Sequence, residues 1–302
     1  MKVGSHTIEL SNEDKVLFPD SGITKGQLID YYARIAETML PYLEDRPLSL
    51  QRFPDGIDGD GFYQKQVSDY FPDWISRIEI DVEGGQKTQV VCNEAATLVY
   101  LANQACITPH SWLSRRDKLN QPDLMVFDID PPTDDFEPVR DATRTLCELL
   151  DDLELPCFLQ TTGSKGIHIA VPLKRHQDFD EVRAFARDIA DLLAKRHPKQ
   201  LTVEQRKDKR GDRVFLDTNR NAYGQTMVTP YSVRPRPGAP VATPIERDEL
   251  DDGALRSDRY TISSIFRRLG QRMDPWGGLR KHAVTLSSSR DRLADIKKAD
   301  SR

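Results

Sequence analysis

The stretch that most constrains this chain is Leu-Met-Val-Phe-Asp-Ile-Asp-Pro-Pro, residues 124–132. Successive side chains of a strand alternate faces, so Val126, Asp128 and Asp130 share one face while Met125, Phe127 and Ile129 share the other. The two carboxylates then stand about 6–7 Å apart along the strand, pointing the same way off an apolar sheet. Like charges that close repel unless something neutralises them, and a divalent cation with oxygen ligands does so. Two such ions about 3.5–4 Å apart would activate an attacking hydroxyl and stabilise a leaving pyrophosphate. The alternative is a strand end whose acids simply face water.

Asp-x-Asp after an apolar strand also occurs in haloacid-dehalogenase-type phosphatases and many glycosyltransferases. The phosphatase pattern has Thr or Val at its fifth position, where this chain has Pro132. A second signal is Thr-Thr-Gly-Ser-Lys-Gly-Ile-His, residues 161–168. Gly163 and Gly166 permit a tight turn whose backbone N–H groups approach an anion, with Ser164 adding a hydroxyl and Lys165 a cation. The spacing is not that of a Walker loop, which argues against an ordinary P-loop NTPase. Beyond the turn, Ile167, Ile169 and Val171 take the core face and leave His168 on the open one. A third strand, Arg213 to Asp217, delivers another carboxylate, with Arg220 in the following turn. Arg234 and Arg236 alternate with prolines in a stiff, extended 235–240 exit suited to polyphosphate. In the N-terminal half, Lys15 and Lys25 flank a helix start that favours anions, and Phe62, Tyr63 and Lys65 combine stacking with charge.

Between these signals the pattern alternates helix and strand. Thr24 and Gln27 have capping-box spacing ahead of a helix reaching Pro41, and Asp178 with Glu181 opens another ending before Pro198. Extended runs are expected at 48–53, 75–80, 88–92, 157–160, 226–229 and 231–233, a helix near 263–269, and a charged helical tail to 302. An internal boundary falls at 114–123, separating an N-terminal module (1–113) from a catalytic region (124–250) and the tail (251–302) of one domain. No segment has the apolar length of a signal peptide or membrane span, so a cytoplasmic protein is expected. The four cysteines show neither C-x-x-C nor zinc spacing and read as buried small residues. The net charge of −5 conceals local imbalance. Ten acids face two arginines over 128–154, and eleven Lys/Arg face four acids over 195–236, so nucleic-acid contact is expected on one basic face.

Eight segments in order resemble the polymerase domain of bacterial ligase D, the end-joining polymerase of the archaeo-eukaryotic primase superfamily. They are LSNEDKVLFP, TKGQLIDYY, QRFPDGIDGDGFYQK, TPHSW, DIDP, GSKGIH, FLDTNRN and PYSVRPRPGAP. The resemblance implies an α+β primase-polymerase fold: an RNA-recognition-motif-like, mainly antiparallel catalytic sheet flanked by helices and preceded by an α/β module. It implies that Asp128, Asp130 and Asp217 bind two divalent ions, manganese or magnesium. Thr162, Ser164, Lys165, His168, His110, Arg220, Arg234 and Arg236 would hold the nucleoside triphosphate. Asn12, Lys15 and Lys25 would take the 5′-phosphate of a downstream strand, with Arg52, Phe62, Tyr63 and Lys65 beside the template. Arg247 stands where the family usually has Trp.

The implied activity is template-directed extension of a primer 3′-hydroxyl, ribonucleotides favoured, filling short gaps in non-homologous end joining. The expected partners are 5′-phosphorylated DNA, a separate ligase and a Ku end-binding protein. A nucleoid-associated, stand-alone monomer that pairs only across DNA ends is expected. The rival readings are a primase that starts chains de novo and a noncatalytic end-binding scaffold.

Overall fold

The computed structural model describes residues 1–82 and 84–301; Arg302, the last residue of the expected tail, lies outside the described residues. The chain forms two compact units. The first comprises Met1–Asp117, Thr226–Thr243 and Tyr260–Arg272; the second comprises Lys118–Gln225, Pro244–Arg259 and everything from Met273 onward. The contiguous partition at 124–250 and 251–302 is therefore corrected, because the chain returns twice to the first unit. The cause is apolar: Tyr231, Val233, Val241 and Ile265 are buried in the first unit's core with Leu28, Tyr32 and Met39.

In the first unit the Lys25–Leu43 helix starts at a capping box, in which Thr24 and Gln27 each accept from the other's backbone N–H. Pro41 sits in its last turn rather than beyond it. A four-stranded antiparallel sheet runs in the order Thr226–Val228, Cys106–Trp112, Leu48–Arg52, Phe62–Gln64. Cys106–Trp112 is unforeseen by the sequence pattern. Every residue in it is buried, so no alternation shows, and Pro109 argues against an internal strand. The 75–80 and 88–92 runs become a hairpin of Arg77–Val82 and Gly85–Val90. No strand forms at 231–233: Tyr231 has φ +69°, and only a Val233–Val241 bridge remains. Segment 235–240 is accordingly a reversal and not an extended exit, closed by the Arg234 N–H donating to the Pro240 carbonyl at 2.7 Å.

The second unit is built on a six-stranded sheet ordered Leu201–Thr202, Val214–Asp217, Leu124–Asp130, Ile167–Pro172, Phe158–Thr161, Thr243–Ile245. The Leu201–Thr202 and Val214–Asp217 pair is parallel, while Leu124–Asp130 pairs antiparallel with both Val214–Asp217 and Ile167–Pro172, and Ile167–Pro172 pairs antiparallel with Phe158–Thr161. Met125, Phe127 and Ile129 bury one face in a core with Val139 and Leu146 of the Glu137–Asp152 helix and Val182 and Ile189 of the Phe179–Arg196 helix. The latter helix opens on the Asp178–Glu181 capping box. The charged tail is the Ser287–Ala299 helix, tied to it by Lys297 and Asp188 at 2.9 Å. Cys147 and Cys157 form a disulfide with Cα atoms 6.0 Å apart, which corrects for this pair the reading of all four cysteines as buried small residues, while Cys92 and Cys106 are buried thiols. The architecture is α+β, with the mainly antiparallel sheet expected from the sequence.

Candidate functional site

Antiparallel register places one residue from each of four strands in a row across the second unit's sheet. Asp128 lies opposite Asp217 on one side and His168 on the other, and His168 lies opposite Gln160. Asp130 stands two residues further along the same face of the central strand. This face carries the acids, while the helices cover the opposite one.

Asp128 is buried, and its two oxygens are divided between two partners. His168 Nε2 lies 3.3 Å from Oδ1, and Arg220 approaches Oδ2 through Nε at 3.3 Å and a second nitrogen at 3.4 Å. Burial alone would raise the Asp128 pKa; His168 and Arg220 outweigh it and hold the carboxyl down, at about 2. At Asp130 the balance reverses: burial, reinforced by the Asp128 charge, outweighs His168 and Arg220 and pushes its pKa up to about 6. Arg220 is driven above its ordinary range: burial opposes this, and the carboxylates of Asp128 and Asp217 prevail. The Asp217 carboxylate accepts the Asn219 N–H at 2.8 Å.

Among the described residues no three His, Cys, Asp or Glu side chains already stand as a metal-ligand cluster. The donor chemistry nevertheless fits a hard divalent cation. Three carboxylates converge by register, one of them costly to ionise, and the buried Nδ1 of His168 has no hydrogen-bond partner.

The Thr162–Gly166 turn packs against this strand. A Cβ on Gly166 would stand 2.1 Å from the Ile129 carbonyl oxygen, so only glycine lets the turn approach between the two acids. Gly163 takes φ +65°. The anion-cradle reading of the turn's backbone is corrected in part. The Ser164 N–H is spent on the Thr162 and Ser257 hydroxyls, and the Gly166 N–H on Thr162. The hydroxyl of Thr162 is thus committed inside the turn, leaving Ser164 and Lys165 as its outward side chains. Lys165 lies 3.6 Å from exposed Asp134.

Sequence reasoning overlooked two residues, Ser257 and Asn221. The Asn221 side chain accepts from the Val126 N–H at 2.8 Å and donates to the Val126 carbonyl at 2.7 Å, continuing the ladder past the last paired residue, Asp217. The signal lay in the FLDTNRN block, but nothing in spacing distinguishes a ladder amide from a turn residue.

The first unit holds the remaining candidates. His110 is buried on the Cys106–Trp112 strand, its ring 5.5 Å from that of Tyr63 and its Nε2 3.4 Å from Gln51. Phe62 and Tyr63 are consecutive in a strand and point to opposite faces, so they do not form one stacking platform. Phe62 shares its side with Arg52, which donates to Gln64 at 2.7 Å and Tyr70 at 2.9 Å. Lys65 follows this strand and is exposed.

Asn12, Lys15 and Lys25 are brought together where the 11–15 loop folds over the first helix. Lys15 N–H donates to Asn12 O, and Lys25 N–H donates to Lys15 O. The helix N-terminus is accordingly not an open anion site, since the Lys25 and Gly26 N–H groups are both used. Lys25 is almost fully buried, its ammonium donating to Ser11 Oγ and the Asn103 carbonyl. Burial, then the nearby Lys15 charge, lowers its pKa. Arg234 and Arg236 lie in the 233–241 reversal. Arg247, where the resemblance expects Trp, makes a short ion pair with Asp151 at 2.5 Å.

Residues 24–276 match the family model described as "LigD, primase-polymerase domain". The chain belongs to that family. The multifunctional non-homologous end joining protein LigD of Pseudomonas aeruginosa is 34% identical over 272 residues, covering 89% of this chain and 32% of that protein. LigD of Mycolicibacterium smegmatis is 34% identical over 282 residues, 90% of this chain and 35% of the relative. The chain therefore spans about a third of the length of these curated relatives. The polymerase domain of Mycobacterium tuberculosis ligase D, solved in complex with DNA, superposes with a TM-score of 0.86 at 31% identity, covering 92% of this chain and 99% of that one. The LigD primase-polymerase assignment brings with it the nucleotidyltransferase class and the mixed α+β fold.

Proposed function

We propose that this chain is a template-directed polymerase that extends a primer 3′-hydroxyl in short gaps bearing a downstream 5′-phosphate, favouring ribonucleotides, during end joining. The observation that carries this reading is the cross-strand row of Asp217, Asp128 and His168 with Asp130 beside it. Asp128, Asp130 and Asp217 would hold two divalent ions, manganese or magnesium, which supply activation of the attacking hydroxyl and charge neutralisation at the leaving pyrophosphate.

The chain's own groups do the rest. Ser164, Lys165 and His168, with Arg220, bind and orient the triphosphate, and the family resemblance assigns a nucleotide-binding role to His110, Arg234 and Arg236 as well. Burial of the Lys25 ammonium, and to a lesser degree the neighbouring Lys15 charge, disfavours its cationic form, and a dianionic 5′-phosphate beside Asn12 would supply the counter-charge to both lysines. Arg52, Phe62, Tyr63 and Lys65 contact the template strand. DNA of this kind, a DNA ligase activity and a Ku-type end-binding protein are the proposed partners. The protein acts as a monomer that pairs across broken ends, at the nucleoid. No helix among the described residues is long and apolar enough to cross a membrane.

The test is extension on a gapped duplex with and without the 5′-phosphate, comparing ribo- and deoxyribonucleotides with manganese. Phosphate-stimulated, ribonucleotide-favoured extension is expected. Efficient initiation without a primer would favour a primase, and DNA binding without extension would favour the scaffold.

A further inference from the structure

We propose that Ser257 is a positioning residue for the nucleotide, clamping the Thr162–Gly166 turn in the shape that presents Ser164 and Lys165; this rests on the polymerase reading above. Ser257 is only 3% exposed and approaches the turn from more than ninety residues away in sequence. Its hydroxyl donates to the Gly166 carbonyl at 2.9 Å, accepts from the Ser164 N–H at 3.2 Å, and lies 3.1 Å from the Thr162 hydroxyl. A serine hydroxyl has one donor and two acceptor sites, so it is saturated if Thr162 donates to it. Thr162 in turn accepts from the Ser164 and Gly166 N–H groups at 3.3 and 3.2 Å, which closes the network.

The loop that carries Ser257 is itself held. Leu255 is fully buried in the second unit's core, Arg140 donates to the Asp252 carbonyl at 2.9 Å, and Asp252 accepts the Ala254 N–H at 2.8 Å while pairing with Arg259. Gly166 abuts the Ile129 carbonyl on the other side, so the turn is gripped from two directions. A turn with two glycines has many unbound conformers, and each one populated lowers apparent affinity by the fraction it removes. Ser257 suppresses them without touching the nucleotide.

The experiment compares Ser257→Ala, Ser257→Thr and Lys165→Ala with the unaltered protein. The readouts are KM and kcat in primer extension, nucleoside triphosphate binding in the presence of Mn2+, gapped-DNA binding and urea unfolding. Ser257→Ala is expected to raise KM and weaken triphosphate binding about fivefold, the equivalent of one lost hydrogen bond. It should leave kcat within about twofold and DNA affinity unchanged, because the hydroxyl acts before chemistry. Ser257→Thr restores the hydroxyl and is expected to recover most of the loss. Unchanged triphosphate affinity in Ser257→Ala, with Lys165→Ala impaired, would overturn the positioning role and leave the polymerase reading standing. So would losses in DNA binding that parallel those in triphosphate binding, the mark of general unfolding. No triphosphate binding by the unaltered protein would overturn both.

Discussion

Removing the Asn221 amide tests whether a side chain substitutes for a strand. Asn221 and Val126 are both fully buried, and the amide closes on both polar groups of the Val126 backbone while also donating to the Thr218 carbonyl at 2.9 Å. Asn221→Ala leaves the Val126 N–H and C=O with no partner in a dry interior. Each orphaned group costs about 1–3 kcal/mol, so the variant should lose about 2–6 kcal/mol. A typical domain is stable by about 5–15 kcal/mol, so the change is large but survivable. Urea unfolding followed by circular dichroism reads it, with the midpoint falling at constant slope. Val126 lies two residues before Asp128, so Mn2+ affinity measured by titration calorimetry should fall with it. A loss below about 1 kcal/mol with unaltered Mn2+ binding would mean that water replaces the amide, and would refute the ladder argument.

Other expectations follow from the same sheet. Because the Asp130 carboxyl is raised to about 6, Mn2+ must displace a proton below that pH, and its affinity should drop about tenfold per unit under about pH 6 and level off above it. Without metal the sign of the stability effect is opposite: a raised carboxyl favours the fold at acid pH and costs stability as pH rises from about 4 to 6. The melting-temperature gain from Mn2+ should therefore be larger at about pH 7 than at about pH 5, and an equal gain at both would contradict the assignment. Gly166→Ala places a methyl against the Ile129 carbonyl and should destabilise by about 1–3 kcal/mol while impairing extension; a neutral variant would show that the turn moves freely. Asp128→Ala should reduce primer extension more than about a hundredfold while gapped-DNA binding persists, and retained extension would remove the row from the active site.

What could be read from residue order was periodic or reciprocal. The alternation in 124–130 put three acids and one histidine on one face once register was known, and the Thr24–Gln27 and Asp178–Glu181 pairs both closed as capping boxes. What escaped had no period. Cys106–Trp112 is buried on both faces, so its helix-or-strand signal vanished, and the positive φ of Tyr231 turned an apparent strand into a reversal. The glycine turn was visible, but the fate of its N–H groups depended on Ser257, a residue whose importance lies wholly in where the chain returns. The opposed faces of Phe62 and Tyr63 follow from the same alternation, obscured by reading them as a pair.

That returning path also bears on synthesis. The Thr226–Val228 strand closes one side of the first unit's four-stranded sheet, and Ile265 lies in its core, yet both are made after 108 residues of the second unit, 118–225, have left the ribosome. The first half of the nascent chain thus waits with the Cys106–Trp112 strand unpaired on one edge, a template for wrong partners until its own strand arrives. Any split or truncation placed at 117/118 by sequence order would yield a fragment with that exposed edge rather than a folded half.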